Sequence, residues 1–204
     1  MVTATDIVRI CYAEAGYAEK DNVFDLYSNV VGSKNYTKYA KECADAGLFN
    51  GDKQGYDWCA VFVNWVMLQV AKTKNEVMRR LCQDGLCGAG CEQSVDYYKN
   101  HNRFFHEPKI GDQIFFEYDG DLSSDHTGYV VGISEDFVYT IEGNSHDKVS
   151  KNMYAKGYKY IFGYGRPIYD GEEEESKNED TSIVKTHVVA PGDTLWDISM
   201  KYFK

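Results

Sequence analysis

Positive charge is in short supply in this sequence: 22 Lys and Arg face 32 Asp and Glu over 204 residues, a formal net charge of −10. Nucleic acid, which is held through its phosphates by Lys and Arg, is therefore excluded as a partner. An anionic surface would have to be recognised by a dedicated site rather than a basic patch. Long apolar runs are missing as well. The longest, residues 59–70, falls short of the roughly 20 residues that a spanning helix needs and is interrupted by Asn64, so no membrane span is expected. The opening MVTATDIVRI lacks the basic-then-apolar pattern of a secretory signal, which gives the expectation of synthesis in the cytoplasm. Dense alternation of carboxylates is absent too. The segment NGDKQGYD offers Asp52 and Asp57 but not the ligand density of a calcium loop, and neither a metal nor a cofactor is expected.

What is present suits one domain of about 150 residues with a real core, plus a small appendage. Hydrophobic residues make up 43% and aromatics 15%, and the 17 tyrosines provide amphipathic surfaces suited to sugars and peptides. The organising stretch is YDWCAVFVNWVMLQV, residues 56–70. After Cys59 it is apolar on nearly every side, which predicts a buried helix. Tyr56, Asp57 and Trp58 form a turn-prone approach, so Cys59 falls in the first turn, beside unpaired backbone N–H groups and the positive end of the helix dipole. That environment favours thiolate and is one way of presenting a nucleophilic cysteine. A small core thiol is the alternative on this stretch alone.

A second stretch supplies partners. Gly111-Asp112 reads as a turn, residues 113–118 as a strand, HTGYVVGIS as a strand opening on His126, and residues 137–142 as another strand ending before Gly143-Asn144. Pairing the last two across the Ser134-Glu135-Asp136 connection brings His126 close to Glu142. A strand period of two would put Asn144 on the same face as Glu142. Nucleophile, base and an acceptor that orients the base are thus all available. Further helices are read from a Thr3/Asp6 cap, over residues 72–81 and over 92–100, and a last strand, edge or bulged, over 160–169. Helices first and strands second give an α+β domain.

The blocks WCAVFVNW, GDQIFF, HTGYVVG and IEGNS resemble, in order and spacing, the CHAP domains, the cysteine- and histidine-dependent amidohydrolase/peptidase modules of peptidoglycan hydrolases. The resemblance covers residues 3–169. It implies a papain-like α+β fold with N-terminal helices packed on an antiparallel sheet, Cys59 as nucleophile, His126 as general base, Glu142 orienting the imidazole and Asn144 as a further polar member. Tyr56, Asp57 and Trp58 become candidate substrate-binding residues, Trp58 either stacking on a sugar ring or packing into the domain. The front of the chain resembles the CHAP endolysins of phages of Gram-positive bacteria, which implies action on bacterial peptidoglycan after release at lysis. The bond implied is N-acetylmuramoyl-L-alanine. A D-alanyl-glycyl-type or stem-peptide endopeptidase, a peptide-polyamine amidase and an inactive wall-binding module are the alternatives.

Residues 170–186, with six acidic side chains among positions 171–180, read as a solvated linker. The string PGDTLWDIS within 187–204 resembles the first half of a LysM module, a family that binds N-acetylglucosamine-containing glycans. Of the six cysteines, Cys11 and Cys43 read as buried thiols. Cys82, Cys87 and Cys91, in LCQDGLCGAGC, are open between free thiols, one disulfide formed after release, and zinc, for which no fourth ligand lies nearby.

Overall fold

A computed structural model describes residues 1–85 and 87–171. All but the first two residues of the expected linker, and the whole LysM-like segment, lie outside the described residues. Residues 1–170 form one compact unit. No described helix is long and apolar enough to cross a membrane.

Among the described residues five helices precede or flank one sheet, which is the expected α+β arrangement. The first, α1 (Ala4–Glu14), starts on a reciprocal capping box: Asp6 N–H donates to Thr3 Oγ1 at 3.2 Å and Thr3 N–H to Asp6 Oδ2 at 3.2 Å. Thr37 caps α2 (Lys38–Asp45) in the same sense, accepting from Ala40 N–H at 3.1 Å. The long apolar run is α3 (Cys59–Ala71), in which every side chain from Cys59 to Leu68 is buried. It ends where Lys72 turns left-handed at φ 68°, so the charged segment after it is a separate helix, α4 (Lys74–Arg80). The last helix is α5 (Cys91–Asn100).

The strands are β1 (Phe104–Phe105), β2 (Gln113–Phe116), β3 (His126–Ile133), β4 (Phe137–Glu142), β5 (Ser150–Ala155) and β6 (Ile161–Gly165). They form one antiparallel sheet in the order β1-β6-β2-β3-β4-β5. Two of these differ from the sequence reading. The last strand is bulged against β2 at Phe115/Phe116, as its glycines suggested, but it is not at the edge: β1 pairs outside it through Phe104–Gly165 and Phe105–Tyr164. And β5, whose polar sequence hides its alternation, forms the far edge beside β4.

Helix α3 packs on β3 and touches each of the other four helices, while α1 and α5 also reach the sheet directly. Tyr129 on β3 donates its hydroxyl to the Val63 carbonyl at 3.2 Å. On the opposite side the Tyr39 ring meets Trp58, Phe62 and Trp65 at centroid distances of 5.6, 5.2 and 4.8 Å. Side chains of this size contribute about 2–3 kcal/mol each when fully buried. The two polar interruptions of α3 have partners. Asn64 Nδ2 donates to the carbonyls of Ala60 (2.9 Å) and Gly88 (3.1 Å), and its Oδ1 accepts from Gln83 Nε2 (2.9 Å), which pins the loop leading to α5. Gln69 Nε2 donates to Glu42 at 3.4 Å. The Gly111-Asp112 turn is held from the other end of the chain: Arg166 donates through Nε and Nη2 to the Asp112 carboxylate, both at 3.0 Å. Removing one partner of such a buried pair typically costs about 3–5 kcal/mol.

Candidate active site

Cys59 is the first residue of α3, and its cap residue, Trp58, supplies no side-chain hydrogen bond to the helix start. The first-turn N–H groups are therefore left to stabilise negative charge at the sulfur. Trp58 itself points inward. Its indole is fully buried, and Nε1 donates to Glu19 Oε2 at 2.9 Å. Of the two courses open to Trp58 it takes packing into the domain and not the substrate groove: an indole N–H needs a buried acceptor, Glu19 provides it, and the ring completes the aromatic cluster around Tyr39. Tyr56 is 66% exposed and lies outside the cleft lining. Asp57 does line the cleft.

Strands β3 and β4 deliver the other two groups. His126 opens β3, Glu142 closes β4, and His126 Nε2 sits 3.0 Å from Glu142 Oε2. That leaves Nδ1 as the ring nitrogen not engaged by Glu142, in an imidazole that lines the same cleft as Cys59. Close packing here depends on two glycines. A side chain at Gly128, two residues along β3, would collide with the Glu142 Cγ. One at Gly143 would come within 2.8 Å of the Phe62 ring, so glycine lets the end of β4 reach α3.

Glu142 is almost wholly buried and held from several sides. Asn152 Nδ2 (2.8 Å) and the Tyr154 hydroxyl (3.3 Å) donate to Oε2, and the Thr140 hydroxyl donates to Oε1. Asn152 and Tyr154 alternate along β5, so both face the same side as Glu142. Together these groups hold the carboxylate toward the imidazole.

The electrostatics follow from these contacts. The Cys59 thiol is held down to about 5. The largest cause is a hydrogen bond from the Cys91 thiol, whose sulfur lies 3.5 Å away; burial opposes it, and His126 and the Ala60 backbone N–H reinforce it. Burial works against charge on His126, but the Cys59 sulfur and the Glu142 carboxylate outweigh it and raise the imidazole to about 10. Between those limits the pair is thiolate and imidazolium. Cys91 is pushed well up, first by its hydrogen bond to Cys59 and then by burial, so it remains the thiol.

Asn144 follows a different course from the one its spacing implied. Strand β4 stops at Glu142, Asn144 sits in the following turn at φ 55°, and the period of two does not extend to it. Its Nδ2 donates to Asp57 Oδ1 at 3.1 Å across the cleft lip. His146 is exposed at the rim. The cleft has a volume of about 380 Å³ and is lined by Cys59, His126, Glu142, Asn144, Asp57 and Asn152, with Tyr118 and Tyr154 among its walls. Sequence reasoning missed Thr140, Asn152, Tyr154 and Cys91. Thr140 was accessible, two residues before Glu142 on a readable strand; Asn152 and Tyr154 required β5, and Cys91 required the packing of α5 on α3.

Residues 51–144 match the CHAP domain family. No curated protein matches the chain. Among solved structures it is similar to the crystal structure of Ly7917, at 12% identity and a TM-score of 0.47 over 81% of this chain, and it spans 62% of that chain's length. CHAP domains are generally cysteine- and histidine-dependent hydrolases. With Cys59, His126, Glu142 and Asn144 all inside the matched segment, a CHAP domain is found at residues 51–144 of this protein.

Proposed function

We propose that this protein hydrolyses amide bonds of bacterial peptidoglycan, and that the bond is the one between N-acetylmuramic acid and L-alanine. The observation that carries the hydrolytic reading is the convergence on one open cleft of a thiol at a helix start, an imidazole and a buried carboxylate 3.0 Å from that imidazole. Cys59 thiolate attacks the carbonyl carbon, and the oxyanion is met by backbone N–H groups at the start of α3. His126 imidazolium gives its Nδ1 proton to the departing amine, leaving a thioester on Cys59. The now neutral imidazole takes a proton from water, and hydroxide attack frees the acid and regenerates the thiolate. Glu142 fixes the ring orientation and favours imidazolium throughout.

The choice of bond rests on the likeness of residues 3–41 to phage endolysins. In the same proposal the catalytic unit ends at residue 169, residues 170–186 tether it, the LysM-like residues 187–204 contribute affinity for glycan, and the protein reaches the wall when the producing cell lyses. Digesting purified Gram-positive walls and weighing the products tests this. Stem peptides with a free L-alanine amine and glycan with intact lactyl carboxyl groups are expected. Glycan still carrying short stems with new D-alanine or bridge termini would make the enzyme an endopeptidase, and walls left undigested would sink the hydrolase reading.

A further inference from the structure

Beside Cys59 lies a second sulfur for which hydrolysis has no covalent role. Cys91 is the first residue of α5, as Cys59 is of α3, so two helix N-termini converge with their sulfurs 3.5 Å apart. Neither helix start carries a side-chain cap. Both thiols are nearly closed off from solvent, and Ala60 completes the small cluster that they form. The approach is held in place: Asn64, one turn into α3, binds the Gly88 carbonyl and Gln83, on the loop that delivers Cys91. All six cysteines are free.

We propose that Cys91 is a resolving thiol for Cys59, so that an oxidant converts the pair into a reversible disulfide that switches the nucleophile off and protects it. This rests on the reading of Cys59 as nucleophile. The sulfurs need to close by about 1.5 Å to reach disulfide bonding distance. With a peroxide as oxidant the chemistry balances. Cys59 thiolate attacks the O–O bond, forming a sulfenic acid and releasing hydroxide, which takes the His126 proton and leaves as water. The Cys91 sulfur then attacks the sulfenic sulfur; the S–S bond forms, the S–O bond breaks, and the hydroxyl leaves as water with the Cys91 proton. Two thiols and one peroxide give one disulfide and two waters, the two electrons passing from sulfur to the peroxide. A dithiol reductant reverses this by exchange.

The need for such a device follows from the site. A thiolate kept ionised at neutral pH beside an open cleft is the form that peroxide oxidises, and without a neighbouring thiol its sulfenic acid proceeds to sulfinic acid, which reductants do not restore. Of the cysteines in the LCQDGLCGAGC cluster, the fold sends Cys91 to Cys59.

The experiment uses the full chain, reduced and then exposed to hydrogen peroxide, with free thiols alkylated before proteolysis and mass spectrometry. A Cys59–Cys91 linked peptide pair is expected, together with loss of wall lysis and recovery of most of it with dithiothreitol. In Cys91→Ala the fraction recovered, relative to that variant's own starting rate, should fall several-fold, and Cys59 should carry sulfinic acid. Finding Cys91 alkylated while Cys59 is oxidised, or equal fractional recovery in both proteins, would overturn the proposal. Peptide mapping reads the bond without activity. If reduced Cys59→Ala still lysed walls, the nucleophile reading would fall while the mapped disulfide stood.

Discussion

Cys11 and Cys59 are both buried thiols on helices, and the fold gives them opposite acid strengths. Cys11 lies inside α1; burial pushes its thiol well up, and the negative charge of Glu14 adds to the effect. Cys59 suffers burial too, yet it is held down to about 5 by the Cys91 thiol, His126 and the Ala60 N–H. The difference is position and company. A mid-helix thiol faces carbonyls already spent and N–H groups already paired, whereas a first-turn thiol faces unpaired donors. A cysteine's burial, by itself, therefore says little about whether it can act as a nucleophile.

Breaking that contrast most directly means removing each sulfur. Cys59→Ala should lower wall lysis by at least about a thousandfold with the melting temperature nearly kept. Cys11→Ala should instead keep the rate while costing about 1–2 kcal/mol of stability, as a small cavity in a packed core does. Turbidity assays and thermal melting on both variants check this; comparable losses of activity would erase the distinction.

Smaller in effect is Glu142→Gln, expected to slow lysis by about 100-fold. The amide carbonyl can still accept from Asn152, Tyr154 and the imidazole, and the amide N–H can donate to Thr140, so the geometry is preserved and the charge is lost. Because Glu142 raises His126, its neutralisation lowers the imidazole toward its ordinary value. The imidazolium is then lost at lower pH, so the alkaline limb of the rate profile moves down from about 10. A profile that weakened uniformly with no shift of that limb would restrict Glu142 to packing.

The smallest effect sharpens the comparison from the donor side. Cys91 is the largest cause of the low Cys59 value, so Cys91→Ala should raise the acid limb above about 5, and the deficit in rate should shrink as pH rises. Cys91→Ser, which keeps a donor, should hold the limb close to its original position. Identical limbs in the two variants would show that His126 and the helix start suffice.

Much of this site was legible because it is local. The apolar run after Cys59 has one buried solution, and a β-hairpin read from HTGYVVGIS and FVYTIE puts the start of one strand beside the end of the next; a bulge between Val130 and Gly132 then sets the register, Tyr129 against Ile141, in which His126 meets Glu142. Asn144 reaches the cleft by another route than the period of two: β4 ends at Glu142, and the turn after it, with Asn144 at φ 55°, carries the side chain to the lining.

The sequence by itself determined the elements that carry the chemistry: a helix with a thiol at its start, a strand opening on a histidine and a strand closing on a glutamate. Periodicity and charge suffice for these because they are properties of neighbouring residues. Only the tertiary structure decided that Trp58 turns away from the cleft to Glu19, 39 positions earlier, that Asn152 and Tyr154 cradle Glu142 from an edge strand of polar sequence, and that Cys91 meets Cys59 across 32 positions. Each of those contacts depends on how separately formed elements pack, and no local pattern records which face of one element will meet which face of another.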